Sequence, residues 1–498
     1  MKRRDFLQSS LLAAATSAAS FRSAYAVVAT DKTLADIAAV SGDGNPITLR
    51  GAEIRKLARQ MQGPVLIAGD AGYDEARRVK NPSFDRKPAL IAQPKSAADV
   101  QAAVKFARAH GVLLAVKCGG HSGSGQSTCD RGMQIDLHHL RGVRVDPQKR
   151  RAWVQGGTLL GQVDAECLPH GLVTPLGTVS HTGVGGLTLG GGFGRLARKL
   201  GLAIDNLESV DVVSADGKLH HASAQDNPDL FWAVRGGGGN FGIATQFEFR
   251  LHPFDGKVIA GEISFPFARA RDAMNMYADY VGSAPDELYL DPMVLIPPGG
   301  REGYVSFEVC YSGAPKDLEA ALAPIRKLGT PAKEDLKAVE YVEAQRANDS
   351  GDNRAIASYM KAGFVSKFPH ALAAAIVDNI AGDPGRTTVL FFQHCGGATS
   401  RVAENATAFA QRDSVANMMA VAAWRTDAEA RAHIEATRKY WAALEAHTRG
   451  FYVNDVPREA TVAEINSNYR GNYPRLVELK KKYDPTNLFR LNANVKPA

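Results

Sequence analysis

The chain has 498 residues, 45% of them hydrophobic and 22% charged, an ordinary globular composition with length enough for two or three domains and a sizeable core. Its formal net charge is +7 without any long basic run, so neither nucleic acid nor a membrane surface is implied as a partner. Nothing in the composition suggests disorder or a repeat architecture.

The first residues, MKRRDFLQSSLLAAATSAASFRSAYA, set Arg3-Arg4 ahead of Phe6-Leu7, then a small-residue apolar stretch, then the A-x-A site Ala24-Tyr25-Ala26. This predicts a twin-arginine-type export signal over 1–26, a mature chain starting near Val27, and a periplasmic or secreted protein. The apolar part is too short, and too rich in Ser and Thr, to span about 20 residues of bilayer, so no membrane span is expected after removal of the signal. Removal takes away four basic residues and one acidic one, leaving +4. The twin-arginine route carries folded proteins, which suits a chain that acquires a cofactor before export. The cysteines at 118, 129, 167, 310 and 395 are scattered with no C-x-x-C, which argues against zinc or another metal site. Cys118 and Cys129 bracket a glycine loop and are the pair a bridge would join; buried free thiols are the expectation.

Residues 27–86 are set apart as an N-terminal segment. From 87 to 254 the units are short and distinct. Ser96-Ala-Ala-Asp99 is a hydroxyl N-cap with a carboxylate three residues on, and it opens a helix through AADVQAAVKFARAH that Gly111 ends. GVLLAVK, MQIDL and RAWVQGG read as strands. One helix interleaved among short strands indicates α+β rather than a regular β-α-β winding. Residues 255–450 carry the strand-like GKVIAGEISF, YVSFEVCY, TTVLFFQHC and SVANMMAVAAW among amphipathic helices. They predict a second domain, an antiparallel sheet with helices on one face. The last stretch, 451–498, holds a helix ended by Asp484-Pro485 and an extended tail.

Three glycine clusters lie at 119–125, 183–194 and 236–242. Glycine permits positive φ and lets backbone N–H groups approach a ligand, so three such loops within 124 residues point to a ligand rather than to crowded turns. Gly237-Gly-Gly239-Asn-Phe-Gly242 satisfies G-x-G-x-x-G, yet a helix precedes it and a strand follows, the reverse of the order a Rossmann site needs. Gly120-His-Ser-Gly-Ser124 misses the hydrolase G-x-S-x-G by its last residue.

VKCGGHSGSG, TPLGTVSHTGVGGLTLGGGFGRL, NPDLFWAVRGGGGNFGIATQFEFRLHP and NYPRLVELKKKYDPTNLFRLNAN together resemble the FAD-linked oxidases with a p-cresol-methylhydroxylase-type flavin domain, in the berberine-bridge-enzyme-like branch of the vanillyl-alcohol-oxidase superfamily. The resemblance runs in order from about Lys87 to the C-terminus and is looser over 255–450. It implies an α+β fold: a two-part FAD-binding domain over 87–254, a substrate domain over 255–450, and a closing segment, 451–498, that returns to the flavin domain. It implies FAD, bonded at its 8α carbon to the histidine of the GGH motif, here His121. Many relatives add a second bond from a cysteine at the head of VSHTG; Val179 stands there, so a single attachment is expected, and His181 is assigned packing or hydrogen bonding beside the flavin. Implied flavin contacts are Gly119, Gly120, Ser122 and Gly125 in the first loop and Gly177, Thr178, Gly183, Gly185 and Gly186 in the second. Gly239, Asn240, Ile243 and Asn492 or Asn494 complete the set.

The implied chemistry is hydride removal from a C–H beside oxygen or nitrogen of an alcohol, sugar or secondary-metabolite substrate to flavin N5, while a base takes the neighbouring O–H or N–H proton. Relatives supply that base as the tyrosine ending Y-x-N-Y; here Phe451-Tyr-Val-Asn-Asp455 ends in aspartate. Asp455 is then either the base, its pKa raised by burial, or an exposed carboxylate at a strand end, and Tyr452, on the strand face of Asn454, is the second candidate. Met419 occupies a position often Gln or Glu in relatives and argues against a pocket lined for sugar. Three functions stay open: an oxidase using O2, a dehydrogenase passing electrons to a quinone or cytochrome, and a flavin-bearing binding protein that has lost turnover.

Overall fold

The structure, a computed structural model, describes residues 34–297, 302–349, 356–380, 388–457 and 459–498. The expected export segment, 1–26, lies outside them. No helix among the described residues is long and apolar enough to cross a membrane.

The flavin-side half is built on two larger sheets, with two short two-stranded ones beside them. In the first, four strands run in the order Val65–Leu66, Leu90–Ala92, Met133–Asp136, Leu114–Lys117. The last three are parallel, and the helix Ala97–His110 makes the crossover. That helix starts where its cap dictates: the Ser96 hydroxyl accepts from the Asp99 N–H, and Gly111 closes it in the left-handed region (φ 59°). The Asp99 carboxylate turns outward from its own helix to accept from Gln62, Gly63 and Lys95 N–H groups, tying the N-terminal segment to the helix start. Across the boundary at residue 86, Leu49, Ile54, Leu57 and Val65 share one core with Leu90, Val104, Leu114 and Ile135. The second sheet is antiparallel, in the order Leu219–Ser223, Leu207–Val213, Ile243–Arg250, Arg151–Gln155, Val143–Asp146.

The other half is an eight-stranded antiparallel sheet whose long members are Lys257–Pro266, Tyr304–Tyr311, Leu288–Ile296, Thr388–His394, Ala416–Trp424 and Ala357–Val365, in spatial order. Alternation along each strand separates its two faces. Leu390, Phe392, Ala416, Met418 and Ala420 face a core shared with Met274, Tyr277, Leu322, Ile376 and Trp441 from the covering helices. The alternate residues Phe391, Gln393, Asn417 and Met419 point the other way, Phe391 opposite Met419 and Gln393 opposite Asn417. That second face closes over the glycine loops.

The helix Tyr473–Tyr483 and the tail behind it pack back onto the flavin side. Lys480 and Asp484, both fully buried, pair at 2.7 Å; the ammonium also donates to the Asn240 and Phe489 carbonyls, and the carboxylate accepts from Leu488 and Phe489 N–H groups. Every polar atom of the pair is thereby satisfied, the condition under which buried charge is tolerated.

Candidate flavin site

A cavity of about 470 Å³ lies between the two halves. Its first wall is backbone. The loop after strand Leu114–Lys117 meets the loop before helix Val184–Gly190 so closely that a Cβ on Gly119 would sit 2.4 Å from the Gly183 nitrogen, and one on Gly183 2.3 Å from Cys118 Sγ. Only glycine permits that contact. The turn at Gly238–Asn240 and the tail residues Phe489, Leu491, Asn492 and Ala493 extend the same wall.

His121 stands where the first two loops touch. Its Nε2 is 2.6 Å from His181 Nδ1 and its Nδ1 is 3.4 Å from Thr182 Oγ1. The second loop is held from behind by Arg195, 3% exposed, whose guanidinium donates to the Thr178 carbonyl, to Gln345 Oε1 and twice to Glu308 Oε1. Gln345 in turn donates to the Gly177 carbonyl. Glu308 and Gln345 belong to the substrate half, so this network fixes the glycine loop to the large sheet.

The opposite wall is side chain: Met360, Phe391, Gln393 and Met419 from the sheet, then Phe193 and the segment Tyr452–Asp455. That segment is a 3-10 turn over Val453–Asp455, not the strand expected from sequence, and Asp455 stands in the cavity wall rather than at an exposed strand end. Asp455 Oδ2 accepts from Asn417 Nδ2 at 3.3 Å, and the same nitrogen donates to Gln393 Oε1 at 3.0 Å. Burial pushes the Asp455 carboxyl up to about 6 against the opposing pull of the Asn417 hydrogen bond. Tyr452 lines the cavity too, but its hydroxyl accepts from Gly192 N–H (2.9 Å) and Asn454 Nδ2 (2.8 Å) and donates to the Leu187 carbonyl (3.3 Å). Burial drives that phenol well above its ordinary value. An oxygen so occupied holds the turn against the second loop and is poorly placed to take up a proton.

Most residues marked from sequence meet here: His121, Gly119, Gly120, Ser122, Gly177, Thr178, Gly183, Gly185, Gly186, Gly239, Ile243 and Asn492 all line the cavity, with Asp455 and Met419. Two of the expected contacts do not. Gly125 sits in a turn at φ +72° with the Phe84 ring behind it, where a Cβ would come within 2.3 Å, so its glycine answers to packing. Asn240 is fully buried, donating to the Gly237 and Ala493 carbonyls and accepting from Val495 N–H; it fastens the tail to the third loop. Of the alternatives Asn492 and Asn494, Asn492 is the one on the wall. All five cysteines are free. Asn417, Gln393, Phe391, Met360 and Arg195 were missed. The first three were readable in the period-two alternation of TVLFFQH and ANMMAVAAW, had the opposite face of the sheet been asked what it covers.

The family model described as FAD binding domain matches residues 88–223, and the model Berberine and berberine like matches 465–496. An FAD-linked oxidoreductase of Dictyostelium discoideum is 30% identical, over 89% of this chain and 97% of its own. The chain belongs to the berberine-bridge-enzyme-like FAD-linked oxidoreductases. Within that family, xylooligosaccharide oxidase of Thermothelomyces thermophilus is 27% identical over 94% of this chain and 98% of its own. The crystal structure of 6-hydroxy-D-nicotine oxidase from Arthrobacter nicotinovorans superposes with a TM-score of 0.81 at 29% identity, covering 88% of this chain and 98% of that one.

The cavity fits the cofactor of a berberine-bridge-enzyme-like protein on its own terms. A Cβ on Gly186 would meet nothing within 4 Å, and one on Gly239 only Asn492 Nδ2 at 4.0 Å, so the bare backbone there borders room for a ligand. Ser127 Oγ and Asn492 Oδ1 are buried on the cavity wall with no hydrogen-bond partner, a deficit that a polar ligand satisfies. The three glycine loops and Ser122 would hold FAD.

Proposed function

We propose that this chain is an exported FAD-dependent oxidase that carries its flavin on His121 alone and uses Asp455 as catalytic base. The observation that carries the reading is a single carboxylate, raised to about 6, on the same cavity wall as the apolar side chains of Phe391 and Met419 and across from the glycine loops. A base of that strength is largely ionised at neutral pH yet still basic enough to accept a substrate proton. Bound FAD supplies the hydride acceptor. Asp455 takes the proton from the hydroxyl or amine beside the reacting C–H, Asn417 steadies the carboxylate, and the closed sheet face excludes water. Val179, with no nucleophile, supports one attachment rather than two.

The mixed wall supports a small, mainly apolar alcohol or amine over an oligosaccharide: Met360, Phe391 and Met419 offer a sugar no hydrogen bonds, and the polar side chains on that wall are Gln393, Asn454 and Asp455, with the Tyr452 hydroxyl already occupied. The structural neighbour from Arthrobacter nicotinovorans is named as an oxidase of 6-hydroxy-D-nicotine, which is consistent with such a pocket. Acid precipitation followed by fluorescence of the denatured band tests the tether, with His121→Ala as control; a colourless band would remove it. A panel of alcohols, amines and sugars, screened anaerobically for flavin bleaching and then mixed with air, tests the rest. Fast reoxidation supports the oxidase, slow reoxidation moves the protein to the dehydrogenases, and no bleaching by any compound favours a binding protein. Signal-dependent recovery of the chain from the periplasm or medium tests export, with Arg3→Lys and Arg4→Lys expected to retain it in the cytoplasm.

A further inference from the structure

We propose that His181 and Asp349 form a proton relay that activates His121 for flavin attachment. The inference rests on the tether proposed above and concerns how this chain makes it.

His181 Nδ1 lies 2.6 Å from His121 Nε2, and His181 Nε2 lies 4.0 Å from Asp349 Oδ1. Asp349 is itself held in place, accepting from the Ser180 N–H at 3.0 Å and the Ser180 hydroxyl at 2.5 Å. At 4.0 Å the contact is an ion pair rather than a hydrogen bond, but the negative charge on that side favours the His181 proton on Nε2 and leaves Nδ1 as the acceptor facing His121. His121 then carries its proton on Nε2 and donates to His181, and its lone pair is on Nδ1. This is the logic of an imidazole oriented by a carboxylate and acting as base toward a nucleophile.

The surroundings sort the two nitrogens the same way. Behind the first loop is a second cavity, about 320 Å³, walled largely by polar groups such as Lys117 and Arg141. His121 borders both cavities, His181 only the polar one and Thr182 only the larger. Nε2, against His181, is therefore on the side of the polar chamber, and Nδ1, against Thr182 Oγ1, is on the side of the flavin cavity. The nucleophilic nitrogen and the departing proton leave the ring in opposite directions.

In the net reaction one C–H of the 8α methyl and the N–H of His121 are replaced by one N–C bond. The imidazole proton passes to His181 and the methyl hydrogen leaves as a proton. The two electrons released, with two protons, reduce one dioxygen to hydrogen peroxide, so attachment consumes the same oxidant as the proposed turnover. Asp349, from the substrate half, balances the charge that His181 gains; it is a positioning residue, and the relay forms only where the two halves meet.

The test measures covalent and non-covalent flavin separately in wild type, His181→Ala, His181→Gln and Asp349→Asn, as purified and during incubation with excess FAD in air. Wild type should be attached through Nδ1, read by NMR of the isolated histidyl-flavin peptide. The His181 variants should hold FAD non-covalently and attach it roughly 10²-fold more slowly. Added imidazole should restore attachment in His181→Ala, and Asp349→Asn should slow it about 10-fold. Attachment of the His181 variants at the wild-type rate, or a wild-type bond through Nε2, would overturn the relay while leaving the tether standing. Wild type releasing all its flavin into acid would overturn both. If neither His181 variant binds FAD, the nitrogen used in wild type and the Asp349→Asn rate decide.

Discussion

The flavin-side wall of the cavity is backbone, shaped by glycines at loops that must pass within touching distance of one another. The substrate-side wall is side chain, the alternate residues of a sheet whose other face is an ordinary apolar core. Backbone walls leave a trace in sequence because only one residue type meets the steric demand. Side-chain walls leave almost none, since a strand residue facing a pocket and one facing a core obey the same period of two. The contrast teaches that one end of such a site, the cofactor's, can be read from residue types, whereas the end that chooses the substrate is decided by which strands become neighbours.

Asp455→Asn should break the substrate side most severely. The rate of anaerobic flavin reduction by the best reductant of the panel should fall about 10²–10⁴-fold. Wild-type kcat/KM should rise as pH passes upward through about 6, and the variant should lack that limb. The same carboxyl carries a stability signature of known sign. Its folded value is raised from 3.8, so the folded chain binds the proton more tightly and stability falls as pH rises from about 4 to 6. Above that window Asp455→Asn should be the more stable protein by about 1–3 kcal/mol, measured by urea unfolding at pH 7.5 and vanishing near pH 4.

Arg195→Ala should strike both walls, because the guanidinium joins the second glycine loop to Glu308 and Gln345. Removing one partner from a buried charged network costs about 3–5 kcal/mol, visible as a lower urea midpoint, and should be accompanied by loss of bound FAD.

Gly186→Leu isolates the backbone wall. With no protein atom within 4 Å of the added Cβ, apoprotein stability should stay within about 0.5 kcal/mol of wild type, while FAD retention falls by ~10²-fold on titration because the side chain occupies the ligand's space. Loss of fold instead of loss of FAD would show that the glycine answers to packing, as Gly125 does.

Asn417→Ala is the mildest. It removes the donor that lowers the Asp455 carboxyl, so the acid limb of kcat/KM should move to higher pH at a stability cost of about 1 kcal/mol.

The legible part of the molecule follows the same division. The cap at Ser96, the stop at Gly111, the reversed order around Gly237–Gly242 and the position of His121 were readable because each is a local steric or hydrogen-bonding demand. The place of Asn240 behind the wall was not legible, because its partners, Ala493 and Val495, lie over 250 residues away in sequence. Asp455 was legible as a departure from a pattern, but its depth depended on Asn417 and Gln393, paired only when the strands Thr388–His394 and Ala416–Trp424 come side by side. Arg195 gave no local signal at all, since the three acceptors of its four hydrogen bonds come from three separate stretches of chain.

The tail behind helix Tyr473–Tyr483 adds a constraint on timing. Phe489, Leu491, Asn492 and Ala493 form part of the cavity wall, and Lys480 and Asn240 lock them to a loop made some 240 residues earlier. Because a chain emerges from the ribosome N-terminus first, that wall is missing until residues 489–493 have been synthesised. Flavin can therefore be enclosed only once that tail has been made and has packed back onto the third glycine loop.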